Sequence, residues 1–385
     1  MEIICNQNEL NNAIQLVSKA VATRPTHPIL ANILLTADQG TNKISLTGFD
    51  LNLGIQTSFD GTVKNSGAIT IPSKLLSEIV NKLPNETPVS LEVDENSDNI
   101  LIKSDRGSFN LKGIPSDDYP NLPFVESGTS LNIEPSSFLI ALKSTIFASS
   151  ADESKQLLTG VNFTFKQTHL ESASTDGHRL AVALISKEEN NKNKDNFSLN
   201  DGELSVTIPT RSLREIEKLI TLRTSENSIK LFYDKGQVVF IASNQIITTR
   251  TLEGTYPNYS QLIPDTFSKI LTFNTKKLIN ALERIAVLAD QQSSVVKIKL
   301  DNKDLASISA DAQDIGNAKE LISVSYSGED FNIAFNVRYL LEGLKVINCE
   351  NVLLKCNLPT TPAVFVPEDN FNSFTYLVMP VQVRS

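Results

Sequence analysis

The chain is poor in the residues on which most active-site chemistry depends. Its 385 residues include only three histidines and three cysteines. Cys5, Cys349 and Cys356 are odd in number, and Cys349 and Cys356 lack a CxxC zinc spacing. They read as reduced, structural thiols of a cytoplasmic protein. His27 and His169 do not pair with Asp or Glu at metal-ligand spacing, so no metal is expected. There is no G-x-S-x-G elbow and no GxxxxGK[ST] phosphate loop, which argues against a hydrolase nucleophile and a nucleotide cofactor. No apolar run approaches the roughly 18 residues needed to span a bilayer. The N-terminal "MEIICNQNEL" lacks the basic-then-apolar pattern of a secretory signal, so neither export nor a membrane partner is expected.

What is present is a globular composition, 40% apolar with mixed charge, at a length that suits two or three domains. The chain also repeats itself. "TIPSKLLSEIVNKL" (70–83), "TIPTRSLREIEKLI" (207–220) and "AFNVRYLLEGLKVI" (334–347) lie 137 and 127 residues apart. Each is a short polar or proline start followed by apolar residues at helical spacing, with Pro72 and Pro209 expected in the first turn. A second family, "LNNAIQLVSKAVA" (10–22), "FLIALKSTIFAS" (138–149) and "LINALERIAVLA" (278–289), is spaced by 128 and 140.

Between the two helices of each copy lies a strand–turn–strand, "LTGFDLNLGI", "SASTDGHRLAV" and "SISADAQDIGNA". It aligns Asp50, Asp176 and Asp311 at equivalent places. "YPNLP" (119–123) and "YPNYSQLIP" (256–264) close two of the copies. Runs such as "SVTIP", "QVVFIAS" and "NVLLKC" have the β-branched alternation of half-buried strands. The pattern gives an α+β fold of three similar domains, 1–127, 128–264 and 265–385.

The stretch "STDGHRLAV" (174–182) gathers serine, aspartate, histidine and arginine, and so raises the alternative of a hydrolase using Asp176 and His178. The aspartate recurs in copies that have no histidine, which favours a turn-forming role. Neighbours on one turn seldom converge as a catalytic triad must. No catalytic residue is assigned.

These stretches resemble the β-subunit family of bacterial DNA polymerase III, the sliding clamps. "RPTHPILANILL", "LTGFDLN", "YPNLP", "STDGHRLAV", "YPNYSQLIP", "SYSGEDFNIAFNVRYLL" and the terminal "YLVMPVQV" occur in family order from residue 24 almost to the end. The resemblance implies the DNA clamp fold. In it two protomers close head to tail into a ring, with helices inside and sheets outside, that encircles duplex DNA without reading its sequence. It implies a non-catalytic processivity factor of replication, a homodimer with no cofactor.

The net charge of -9 suits such a ring only if charge is segregated. The expected helices 10–22, 72–83, 135–149, 209–223, 275–289 and 336–347 hold 13 Lys and Arg against 5 acids, a balance of +8 that leaves -17 for the rest. A positive lining and a negative exterior would permit sliding by diffuse phosphate attraction. Few aromatics fall on these helices, so base stacking is not expected.

By the same resemblance, Arg24 matches a DNA-contacting position and the loop 149–156 another. Asp152 and Glu153 make that loop acidic, Leu157 stands where some relatives have an aromatic, and Lys155 is its candidate contact. Lys74, Lys82, Arg211 and Arg338 are the candidates on the helices. Phe109 and Leu111 of "FNLKG", an alternating edge strand, are set against Val287 and Leu288 of the partner protomer.

The resemblance further implies a surface cleft for short linear peptides of the replicative polymerase α subunit, the clamp loader, other polymerases and repair proteins. Around the 174–182 hairpin it carries over Leu158, Thr175, Gly177, His178, Arg179 and Leu180, and from the closing segment Pro257 and Leu262. Asn336, Tyr339, Thr361, Pro362 and Ala363 follow, with Leu377, Val378, Met379, Pro380 and Val381 at the end. Leu180, Leu262, Val378 and Met379 are expected to form its apolar pocket, with methionine adapting to different partners. His178 and Arg179 are expected to hold a peptide at the rim. Gln261 and Gln382 replace arginines of some relatives, which makes the rim less basic.

Overall fold

The computed structural model describes residues 1–385 except 86, 95–96, 106, 126–127, 187–202, 223–227, 290–293, 303, 313–314, 328–331, 370–372 and 383–385. The first expected domain break, at 127, lies outside the described residues. Among the described residues six α-helices follow the expected order: α1 (Gln7–Val17), α2 (Ser73–Val80), α3 (Pro135–Thr145), α4 (Thr210–Leu222), α5 (Thr275–Ala289) and α6 (Val337–Leu344). None is long and apolar enough to cross a membrane. Each begins as the chain leaves a strand: Glu2–Asn6, Gly67–Pro72, Thr129–Ile133, Leu204–Pro209, Lys269–Asn274 and Asn332–Asn336 in turn.

The helix ends differ from those expected, for local reasons. α1 starts at Gln7 because the Asn6 side chain caps it by accepting from the Asn8 N–H at 2.8 Å. It stops at Val17, where the Ser18 hydroxyl bonds back to the Ile14 carbonyl and the chain tightens into a 3-10 turn, Ser18–Ala20. Pro72 and Pro209 are not in the first helical turn. Each is the last residue of its strand, where the ladder no longer needs its N–H.

The described strands form four antiparallel sheets. Five strands are ordered Thr62–Asn65, Glu2–Asn6, Pro88–Val93, Asn99–Ser104, Gly107–Lys112. A second sheet has eight strands, among them Lys43–Phe49 and Leu53–Asp60 from the first copy and Gln237–Ala242 and Gln245–Arg250 from the second. The third sheet, with nine strands, joins His169–Thr175 and Arg179–Ser186 of the second copy to Phe374–Val378 of the third. Four strands complete the set, ordered Gly316–Ser323, Leu305–Ala312, Val295–Asn302, Asn332–Asn336.

Neighbouring copies are therefore stitched by one device: the last strand of one copy pairs with the second strand of the hairpin of the copy before it. Accordingly the chain forms two compact units, Met1–Pro135 with Leu222–Thr251, and Ser136–Thr221 with Leu252–Ser385.

In the second unit, α5 buries Leu278, Ala281, Leu282, Ile285, Ala286 and Ala289, a stripe at alternating spacings of three and one. With Leu340 and Leu344 of α6 they pack on Phe273, Phe335, Phe365 and Tyr376 of the sheets. Each leucine, isoleucine or phenylalanine among them contributes about 1.5–3 kcal/mol by leaving water. Gly343 lies so close to the Tyr376 ring that a Cβ there would sit 2.1 Å from a ring carbon, which sets how near α6 approaches the strand Phe374–Val378.

Candidate functional site

The 174–182 hairpin is held by its aspartate. Asp176 Oδ1 accepts from the backbone N–H groups of His178 (2.9 Å) and Arg179 (3.1 Å). Asp50 does the same for Asn52 (3.0 Å) and Leu53 (2.8 Å). The residue between, Gly177 or Leu51, has a positive φ of 93° or 75°. The third expected equivalent fails. Asp311 is inside the strand Leu305–Ala312, exposed and opposite Asn317.

The hydrolase alternative finds no support in this geometry. Asp176 is spent on the turn and on Arg179, whose Nε donates to its Oδ2 at 3.0 Å. The buried Ser174 hydroxyl donates to the Thr145 carbonyl. The exposed His178 ring lies against Tyr339, with centroids 6.4 Å apart and planes 20° from parallel.

Arg179 differs most from expectation. It is buried, and all three guanidinium nitrogens are engaged. Nε bonds Asp176, Nη1 bonds the half-exposed Glu342 carboxylate of α6, and Nη2 donates to the Phe147 carbonyl at 2.8 Å. The guanidinium carbon also lies over the rings of Tyr339 (4.5 Å) and Phe147 (5.6 Å). Burial acts against its charge, but the Glu342 hydrogen bond, the Tyr376 hydroxyl and the charges of Glu342 and Asp176 together outweigh burial, so its pKa rises above the ordinary arginine value. The expected rim donor is thus a cross-link from the hairpin to α6.

The expected apolar pocket also divides. Leu180 pairs with Leu377 across the ladder, in a buried cluster with Ala173, Val182, Val364 and Val366, covered by Tyr259 and Ile263. Val378, one residue on, points to the opposite face and belongs to the core with Ala181 and Tyr376. Leu262 and Met379 remain exposed. Of the other candidates, Pro257 is exposed and Leu158, Thr361, Pro362, Pro380 and Val381 are half-buried, while Ala363 is buried opposite Val378.

The chain beyond the last strand is pinned. The Met379 N–H donates to the His178 carbonyl and the Val381 N–H to the Ala334 carbonyl. Asn336 caps α6, its Oδ1 accepting from the Arg338 and Tyr339 N–H groups. The closing segment is fixed by its tyrosines: the Tyr256 hydroxyl accepts from the Thr175 N–H at 3.1 Å, and the Tyr259 hydroxyl bonds Glu171. Burial raises Tyr256 to about 12.

Of the charged candidates, Arg24, Lys74, Lys82, Arg211 and Arg338 are exposed. Lys74, Arg211 and Arg338 are each the second residue of their helix, α2, α4 and α6. Lys155 is exposed as well, its Nζ 3.4 Å from the Asp176 carbonyl of the hairpin. With the observed ends the helices hold nine basic and six acidic side chains, +3 in place of +8. α1 takes in Glu9, while Lys19, Lys82 and Lys345 fall just past helix C-termini, where the macrodipole favours a cation. Arg223 lies outside the described residues. Phe109 is exposed and Leu111 half-buried on Gly107–Lys112, an open sheet edge. On α5, Val287 is exposed and Leu288 half-buried, and neither belongs to the buried stripe.

Sequence reasoning missed Glu342, Phe147 and the open edge strand Gly316–Ser323, whose Glu320 accepts from Arg284 of α5 at 3.0 Å. Glu342 stands one helical turn from Tyr339, a spacing that could have been read. The strand edge had no local signal.

Three family models match the chain in order: the N-terminal domain of the DNA polymerase III beta subunit over residues 1–123, its central domain over 132–258 and its C-terminal domain over 260–382. The beta sliding clamp of Synechococcus elongatus is 46% identical over 387 residues, with all of both chains covered. The crystal structure of the DNA polymerase sliding clamp from Bacillus subtilis is similar at a TM-score of 0.89 and 29% identity, again over 100% of both chains. A crystal structure of the C. crescentus beta sliding clamp, with PEG bound to the region proposed for β-motif tethering, has a TM-score of 0.89 at 28% identity. It covers 100% of this chain and 99% of that one.

Proposed function

The chain belongs to the DNA polymerase III beta subunit family, and from that membership we propose that it is a replication processivity clamp, a homodimeric ring closed around duplex DNA. Its work is topological. A closed ring cannot leave DNA sideways, so a polymerase bound to it stays at high effective concentration near the primer end. The reading involves no catalysis, metal or cofactor, and it sets the protein in the cytoplasm. The three domains of the clamp are taken as 1–127, 128–264 and 265–385.

One observation carries the DNA-facing part. An exposed cation recurs as the second residue of α2, α4 and α6. A cation at a helix N-terminus opposes the macrodipole, so helix stability does not account for the recurrence. The exposure of these cations suits attraction to phosphate without readout of bases. Arg24 and Lys82 are further exposed cations that the reading assigns to DNA. Lys155 is the exposed candidate of the 149–156 loop.

The ring closes where Phe109 and Leu111 of one protomer meet Val287 and Leu288 of its partner. The open edges Gly107–Lys112 and Gly316–Ser323 support this, since each presents unpaired backbone groups that a second chain can satisfy. Clients, among them the replicative polymerase α subunit and the clamp loader, dock as short peptides beside Leu262, Met379, His178 and Tyr339. Exposed apolar atoms and one adaptable methionine suit more than one sequence.

Retention on circular duplex tests the whole. Protein loaded on a nicked circle by an ATP-driven loader should stay through a high-salt wash and be lost when the circle is linearised. Equal loss from circle and linear DNA would mean that the protein does not encircle it.

A further inference from the structure

The cleft residues sit on two elements far apart in sequence, the 174–182 hairpin and helix α6. Whatever fixes one against the other fixes the shape offered to a peptide. Asn336 caps α6, so its first turn is rigid, with Arg338 exposed on it and Tyr339 against the His178 ring. The Tyr339 carbonyl accepts from the Tyr376 hydroxyl at 2.7 Å, and Gly343 lets the helix lie on the Tyr376 ring. Arg179 is the polar link from the hairpin. It grips Asp176 of its own turn, Glu342 one helical turn beyond Tyr339, and the Phe147 carbonyl, with the Tyr339 ring over its guanidinium.

We propose that Arg179 is a positioning residue, which through its ion pair with Glu342 holds Tyr339 and His178 in the arrangement that binds client peptide, and that it does not itself contact the client. This rests on the peptide-cleft reading and deepens it. The peptide then meets an apolar and aromatic surface of Tyr339, His178, Leu262 and Met379 in place of an arginine fork.

The planar guanidinium is suited to this role and an ammonium is not. Three nitrogens meet three acceptors in different directions in one plane, while the two faces remain apolar enough to lie against rings. Glu342 provides the discriminating handle. It is half exposed, so losing its charge should leave the fold intact, and its carboxylate is turned to Arg179.

The experiment measures anisotropy of a fluorescent peptide derived from the replicative polymerase α subunit on wild type, Glu342→Gln, Arg179→Lys and the double variant. Dimer mass and retention on circular DNA are followed in parallel, together with the NMR resonances of the His178 ring. If Arg179 positions, Glu342→Gln alone should weaken binding about tenfold, which is about 1.4 kcal/mol. The double variant should then be no weaker than Arg179→Lys alone, because both changes break one link. The His178 resonances should move in Glu342→Gln as the Tyr339 ring shifts, while mass and DNA retention stay unchanged. The inference is overturned if Glu342→Gln binds within twofold of wild type or more tightly, as a freed guanidinium contacting peptide would. It is equally overturned if the two losses multiply. Failure of wild type to bind the peptide would instead overturn the cleft reading on which it rests.

Discussion

The Met379 N–H donates to the carbonyl of His178 at 2.9 Å, one step beyond the end of the Arg179–Val378 ladder. The Arg250 N–H donates to Asn52 at 3.0 Å in the same relation to the 43–60 hairpin. The repeat thus extends to single hydrogen bonds. Only beyond the 174–182 hairpin, however, is the donor itself an exposed methionine.

Deleting residues 379–385 should therefore remove the client surface and little else. The ladder up to Val378 survives, and two backbone hydrogen bonds are lost, about 1 kcal/mol each. The truncated protein should remain a folded dimer, with its melting temperature a few degrees lower, and retain circular DNA. It should fail to bind a polymerase-derived peptide in an anisotropy titration. Binding as tight as that of the full chain would show that the cleft lies elsewhere.

Charging the exposed side of α5 should open the ring. Val287 is exposed and Leu288 half-buried, outside the helix's buried stripe. Val287→Glu with Leu288→Glu should cost the monomer about 1 kcal/mol or less. Across a dimer contact the same charges would be buried without partners, at a cost of several kcal/mol. Sedimentation velocity at micromolar concentration should show folded monomers. A dimer would exclude this interface.

How much of this could be read from the sequence depended on range. The six helices were legible because their apolar spacing is local, and so was the Asp176 turn, whose partners lie two and three residues away. Asp311 misled because matching it to Asp176 by sequence puts it one residue before the end of a strand, opposite Asn317, and the ladder register that shows this is non-local. Arg179 was legible as a cleft residue only by resemblance. Its job was not, since Glu342 is 163 residues distant and nothing local marks the pair. The division of Leu180 from Val378 follows from strand parity, yet it needed the register of Arg179–Ser186 with Phe374–Val378, which is also non-local.

Gly343 is required for packing, not for backbone freedom. Gly343→Ala should raise helix propensity by about 1 kcal/mol. It would also place a methyl against Tyr376, a buried ring that is itself bonded to α6. Overpacking costs about 1–3 kcal/mol or more, so the net effect should be destabilising, with peptide affinity falling as α6 is pushed away. Urea denaturation checks the sign, and a more stable variant would show that α6 can shift freely.

The cations at the starts of α2, α4 and α6 lead to two expectations of opposite sign. Changing Lys74, Arg211 and Arg338 together to glutamine removes three positive charges from helix N-termini, where each opposes the macrodipole by about 0.3–1 kcal/mol at low salt. Thermal stability should stay level or rise slightly. Retention of DNA should weaken, and the slope of log affinity against log salt should flatten by about one unit for each phosphate no longer neutralised. Neither change should depend on base sequence, because backbone attraction carries no sequence information. Stability falling in step with retention would mean that these side chains serve the fold. A strong base-sequence preference in the unaltered protein would rule out sliding by phosphate contact.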